Sequence, residues 1–159
     1  MAIYMKYGDL KGSVTTDGFD KWIELDSFQW GVGRTVSTPH GADDTREGAE
    51  SRVSEVLVTK PLEKASPKLW QDAVGGDFSS KVTISFTTTT KDKVVNFLDY
   101  EFTNTGLSSY GISANKDLFP TENLTLNFAK VSWKYSALDA KISGTPDVVG
   151  WDLTTQKKI

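Results

Sequence analysis

The chain has 159 residues, 38% of them apolar and 25% charged, with a formal net charge of −3 and no cysteine. That length suits one domain able to bury about two-thirds of its unfolded surface, and the apolar share excludes a disordered chain. The charge gives no reason to bind nucleic acid or anionic lipid, and the lack of cysteine excludes disulfides and thiolate metal sites.

Period-two alternation dominates from the start. Ile3, Met5 and Tyr7 share one face of a first strand that ends near Gly8 and Gly12. The N-terminus lacks an apolar h-region and a small-residue cleavage site, so export by a cleaved signal peptide is not expected; no stretch approaches the length of a membrane-spanning helix. A long β segment is predicted from about Asp20 to Gly33. Ile23 and Leu25 share one parity there, while Phe28, Trp30 and Val32 share the other. Such a phase change implies a bulge or a strand whose halves face different cores. Gln29 lies opposite Phe28 and Trp30, on the wetter face.

Residues 34–52 carry little apolar content and read as an extended polar loop, a length typical of functional or mobile connections. A strand follows from Val53 to Lys60, its buried face left ambiguous by Val56, Leu57 and Val58. One helix is predicted next. Ser66 suits the N-cap and Pro67 the first turn; Leu69, Trp70, Ala73 and Val74 form an apolar stripe, and Gly75-Gly76 ends it. At little more than two turns, it depends on packing for stability.

Val82, Ile84 and Phe86 then alternate with polar residues, and Lys91-Asp92-Lys93 turns the chain into a strand from Val94 to Thr103, giving a hairpin. Residues 104–121 read as a polar connection. From Asn123 to Tyr135 the parity anomaly returns: Leu124, Leu126 and Phe128 hold one phase, and Val131, Trp133 and Tyr135 the other. Two strands that change face midway are what an open barrel of two sheets requires at its corners. A last strand places Val149, Trp151 and Leu153 together, with Trp30, Phe128 and Trp151 expected in the core. The fold class is therefore mainly β, an open β-barrel of two sheets with one short α-helix packed at its side, and residues 1–159 form a single domain.

The chemistry-bearing residues do not form a constellation. A Ser-His-Asp triad would have to use His40, the only histidine, with Asp43 or Asp44 as orienter, and a base on a solvated loop lacks the packed shell such a site needs. Asp43, Thr45 and Glu47 fit the start of a calcium loop, but the twelfth position is Ser54 where a bidentate Glu belongs. Nothing apolar lies near Asp43, Asp44, Glu47 or Glu50 to raise a carboxyl into the general-acid range. Gly31-Val32-Gly33 lacks the third glycine of a dinucleotide cradle, with Val36 in its place. The sequon at Asn123-Leu124-Thr125 falls inside a predicted strand. No enzyme, cofactor or metal site is expected.

Five segments in order resemble the haemolysin-coregulated protein (Hcp) family. They are Met5-Lys6-Tyr7-Gly8-Asp9-Leu10-Lys11-Gly12, the run Ile23-Glu24-Leu25-Asp26-Ser27-Phe28-Gln29-Trp30-Gly31-Val32, the junction Lys60-Pro61-Leu62-Glu63-Lys64-Ala65-Ser66-Pro67-Lys68-Leu69, the run Glu122-Asn123-Leu124-Thr125-Leu126-Asn127-Phe128-Ala129-Lys130-Val131, and Gly150-Trp151-Asp152-Leu153. The resemblance implies a tube subunit of the type VI secretion system. Such subunits form hexameric rings that stack into a hollow tube, partnered by a spike protein, a contractile sheath and small effectors held in the lumen. It also implies assembly in the bacterial cytoplasm, followed by secretion without a signal peptide. Ring closure needs two unlike complementary surfaces on each copy. Arg34, His40, Asp43, Asp44, Arg46, Glu47 and Arg52 in the polar loop are the expected inter-subunit or ring-stacking contacts. Gln29 matches a lumen-facing family position and is the expected effector contact. A monomeric β-barrel ligand-binding module, such as one for carbohydrate, and a hydrolase acting through His40 are the competing readings.

Overall fold

The computed structural model describes residues 1–37, 48, 50–137 and 146–159. In chain order the elements are β1 (Ala2–Tyr7), β2 (Ile23–Leu25), β3 (Ser27–Gln29), β4 (Val32–Gly33), β5 (Arg52–Val53), β6 (Val56–Pro61), α1 (Ser66–Gly75), β7 (Ser80–Thr90), β8 (Lys93–Asn115), β9 (Leu118–Asn127), β10 (Lys130–Tyr135), β11 (Asp147–Asp152) and β12 (Lys157–Lys158). All strand pairs are antiparallel. The first sheet runs β12-β11-β10-β8-β7-β1-β2, and the second runs β3-β6-β9-β8.

The 23-residue β8 belongs to both sheets. It turns between them where Asn104 adopts φ 52° and Gly106 passes so close to Phe78 that an added Cβ would lie 2.7 Å from its ring. At the opposite corner Asp26 separates β2 from β3, and its N–H donates to Thr59 O (2.7 Å). The phase change read from Ile23, Leu25 and Phe28 is this corner: β2 pairs with β1 in the first sheet and β3 with β6 in the second. The second anomaly also has a break at its centre, with β9 ending at Asn127 and β10 starting at Lys130. The two sheets face each other without closing into a continuous barrel, and the core between them is built on Met5, Ile23, Val82, Ile84 and Phe102 from one side and Val56, Val58, Leu107, Leu124 and Leu126 from the other.

Three local expectations are corrected. Residues 104–121 are not a connection but the far half of β8 and the start of β9, a second long hairpin. Its alternation is hidden because Ser108, Ser109, Gly111 and Ser113 supply little apolar signal, so hydrophobic period alone misses it. Ser66 is not the N-cap; Ala65 holds that place, and the Ser66 hydroxyl is buried and committed to a polar cluster described below. The helical stripe is narrower than read: Leu69 is buried and Ala73 half-buried, one turn apart, whereas Trp70 and Val74 sit a third of a turn further round and are exposed. Gly76 ends the helix in extended backbone rather than a left-handed cap, its glycine demanded by an approach of 2.3 Å between an added Cβ and Asp72 Oδ1.

Asp72 ties the helix to both sheets. The Tyr7 hydroxyl donates to its Oδ2, and Leu107 N–H reaches the same oxygen at 3.4 Å. Burial, then the hydrogen bond and negative charge of Asp72, hold the Tyr7 phenol well above its usual value near 10. A raised folded pKa means stability fully present below about pH 10 and lost as pH rises beyond it. Tyr7→Phe is therefore expected to cost about 1–3 kcal/mol at neutral pH and to flatten the alkaline loss. Urea melts at neutral pH and near pH 10.5 check this, and equal pH slopes for both proteins would refute it.

Candidate functional site

The most buried charges serve the fold. Lys60 and Glu122 are cross-strand partners on β6 and β9, both fully buried. The Lys60 ammonium donates to Glu122 Oε1 (2.5 Å), Pro61 O (2.9 Å) and Ser66 Oγ (3.1 Å), one acceptor for each of its protons. Ser66 Oγ in turn donates to Glu122 Oε1 (2.5 Å) and accepts from Glu63 N–H (3.0 Å). Tyr110 is pushed up to about 12 by burial, then by the neighbouring Glu122 carboxylate. This cluster clamps the start of α1 onto the second sheet, with both of its short bonds on Glu122 Oε1 and the buried Oε2 left without a hydrogen-bond partner among the described residues. Among the described residues no group of three or more His, Cys, Asp and Glu could hold a metal ion.

What the fold does present is surfaces. The outward face of the second sheet carries two cross-strand rows. Gln29, Leu57, Thr125 and Ser109 form one; Ser27, Thr59, Asn123 and Gly111 form the other. The hydroxyls bond to one another across strands, Ser27 with Thr59 at 2.5 Å and Ser109 with Thr125 at 2.7 Å. Neither row contains a charge. Gln29 is exposed at its edge, as its parity requires.

The polar loop springs from a two-stranded ribbon. Val32 pairs with Val53, Gly33 with Arg52, and an isolated bridge joins Val36 to Gly48. Ser54 fastens the root: its N–H donates to Gly31 O and its hydroxyl accepts from Gly31 N–H, each at 2.9 Å, while Trp30 Nε1 donates to Ser54 O at 2.9 Å. Arg34, Glu50 and Arg52 line a hollow of about 600 Å³ at this root, and both arginines are exposed. His40, Asp43, Asp44, Arg46 and Glu47 lie outside the described residues.

A third surface was not evident from alternation alone. On the core-facing side of β10 burial falls away along the strand, from Val131 at 6% exposed to Trp133 at 44% and Tyr135 at 47%. Val149 on β11, opposite Trp133, is 43% exposed. Trp30, Val131, Trp133, Val149 and Trp151 line an apolar groove of about 320 Å³. Trp151, expected in the core, is half-buried at its edge, and its buried Nε1 has no hydrogen-bond partner among the described residues. Phe128 is buried as expected, and Trp30 is half-buried against the core. The signal available in sequence was Trp133, Tyr135 and Val149 on one parity; only the extent of the second sheet decides that they are left uncovered.

Residues 4–135 match the family model described as type VI secretion system effector, Hcp. A solved type six secretion system protein is 30% identical, with 99% of each chain covered and a TM-score of 0.90. Hcp1 from Salmonella typhimurium is 18% identical over 99% of this chain and 98% of its own, with a TM-score of 0.77. A type VI secretion system effector from Yersinia pestis is 16% identical over 94% and 98%, with a TM-score of 0.75. At the last two identities the likeness shows the fold alone. No curated protein matches the sequence.

Proposed function

Because this chain belongs to the Hcp family of the type VI secretion system, we propose that it is a structural, non-enzymatic subunit of that system's tube, closing into hexameric rings that stack end to end. The observation that carries this reading is the apolar overhang of β10 and β11. A contiguous aromatic face left in water marks an association surface. Pairing this face with itself would stop at a two-fold dimer, whereas in the proposed ring it meets a different surface of the next copy, the head-to-tail arrangement from which rings arise. A neighbour covering the groove would exclude water from Trp133 and Val149 and could supply an acceptor to Trp151 Nε1.

The remaining surfaces suit the other duties of a tube subunit. The uncharged, hydroxyl-rich face bearing Gln29 is the proposed lumen wall, able to hold small effector proteins through many weak polar contacts and release them. The ribbon and the loop it supports form the proposed ring-stacking arm, in which Arg34 and Arg52, with His40, Asp43, Asp44, Arg46 and Glu47, set register by charge complementarity more than affinity. In this reading residues 1–159 act as one domain, the spike protein and the sheath are further partners, and the subunit assembles in the bacterial cytoplasm before being secreted on firing.

Light scattering and negative-stain imaging of the purified protein test the proposal. Annular particles at about six times the monomer mass are expected. A strictly monomeric protein at high concentration would leave the ligand-binding module as the better reading. Reversing Asp43 and Asp44 to lysine is expected to shorten or abolish stacks while leaving rings intact, and tubes of unchanged length would refute the role given to the loop.

A further inference from the structure

The outward face of the first sheet carries a feature separate from the groove, the Gln29 face and the polar loop. Residues between β1 and β2 fold back over the outside of β1 and build a second, separate apolar cluster of Tyr4, Val14 and Phe19, with Trp22 packed against it. The rings are ordered: Tyr4 stacks on Phe19 with centroids 4.8 Å apart, and Phe19 meets Trp22 edge-on at 5.0 Å. The Trp22 backbone is fixed as well, its N–H donating to Phe19 O (3.0 Å) and its carbonyl accepting from Val14 N–H (3.1 Å). The half-buried indole thus stands as a rigid wall beside the sheet.

Between Trp22 and Lys134 lies a cleft of about 500 Å³. Its floor is two cross-strand rows, Ser85–Asp99–Lys134 and Thr83–Glu101–Ser132. Asp99 is held in place from two sides: its Oδ1 accepts from Ser85 Oγ (2.5 Å) and from Asn96 Nδ2 (2.7 Å). Its second oxygen takes no protein donor among the described residues and remains available. Glu101 pairs with Lys81 at 3.1 Å.

Three properties together specify a ligand class. The charges balance, two carboxylates against Lys81 and Lys134, so no net field selects an ion of either sign. Donors and acceptors are dense, and the apolar lining is an aromatic face, Trp22 with Phe19, plus the exposed Val148 across the floor. The floor strands β7, β8 and β10 are all paired on both sides, so no backbone edge is free to take up a peptide strand, and recognition must run through side chains. We propose that this cleft binds a neutral saccharide, one sugar ring laying its C–H face against Trp22 while its hydroxyls donate to Asp99 and accept from Lys134. A carboxylate accepts two hydroxyl donors at once, and a fixed one does so at least entropic cost.

The test is isothermal titration of the purified protein, in its native assembly, with cellotetraose, maltotetraose and chitotetraose. At least one is expected to bind saturably with Kd on the order of 1 mM or tighter. Trp22→Ala and Asp99→Asn are each expected to weaken that binding by about tenfold or more, with particle mass by light scattering unchanged. Should Trp22→Ala misfold, Trp22→Leu and Asp99→Asn carry the test. No saturable binding by any of the three would overturn the proposal, as would binding that neither variant weakens. Tighter binding of a heparin tetrasaccharide than of every neutral probe would overturn the ligand class. Ring formation is measured separately, so failure here leaves the tube reading untouched.

Discussion

Replacing Glu122 with alanine is expected to destabilise the protein by about 3–5 kcal/mol, the cost of stranding a buried charge. Lys60 has no route to solvent: its side chain is fully buried, and among the described residues Glu122 is its only ionic partner with equal burial. Glu63, the other carboxylate in range, is 3.9 Å away and offers a weaker hold. The same substitution removes the acceptor of Ser66 Oγ, so the first turn of α1 loosens with it. The discriminating measurement is a pair of urea melts. Glu122→Ala alone should show the full loss, whereas Lys60→Met with Glu122→Leu should recover most of it, because two apolar side chains need no partner. A single-mutant loss under about 1 kcal/mol would show that water reaches the pair.

Val149→Asp is expected to reduce the particle to monomers at micromolar concentration while leaving the fold intact, as judged by light scattering and circular dichroism. Val149 is 43% exposed, so the isolated subunit tolerates a carboxylate there, but in the proposed ring it faces a neighbour, and an unpaired charge buried in an interface costs several kcal/mol. Trp133→Ala is the companion. Its indole meets Tyr100 at 5.6 Å, so a modest loss of monomer stability comes with it, yet the ring should still be lost. Rings of unchanged mass for Val149→Asp would place the subunit contact elsewhere.

Much of this architecture is legible in the sequence wherever apolar side chains report burial. The alternation of Ile3, Met5 and Tyr7, and of Val82, Ile84 and Phe86, marks strands whose inward faces are indeed covered, and the parity changes near Asp26 and Asn127 mark real breaks. The same rule misses the β8–β9 hairpin, because serine and glycine alternate without apolar contrast. It leaves the buried face of residues 53–60 ambiguous, and only the pairing decides it: Lys60 shares the parity of Val56 and Val58 and lies fully inside beside Glu122. Gln29 is outward, as parity says. The overhang is not legible, since Trp133 and Val149 have the parity of core residues and only the narrower second sheet leaves them bare.

The shared strand β8 also bears on how the polypeptide reaches its native state. β7, β8 and β9 follow one another through two-residue turns, Lys91-Asp92 with positive φ at both residues and Lys116-Asp117 with Asn115 Oδ1 accepting from two backbone N–H groups. Closing such short loops costs little entropy, whereas joining β1 to β7 closes over residues 8–79, nearly half the chain. A nucleus formed from this three-strand run would already contain part of each sheet and the corner between them, so the angle at which the sheets meet is set before the amino-terminal strands dock.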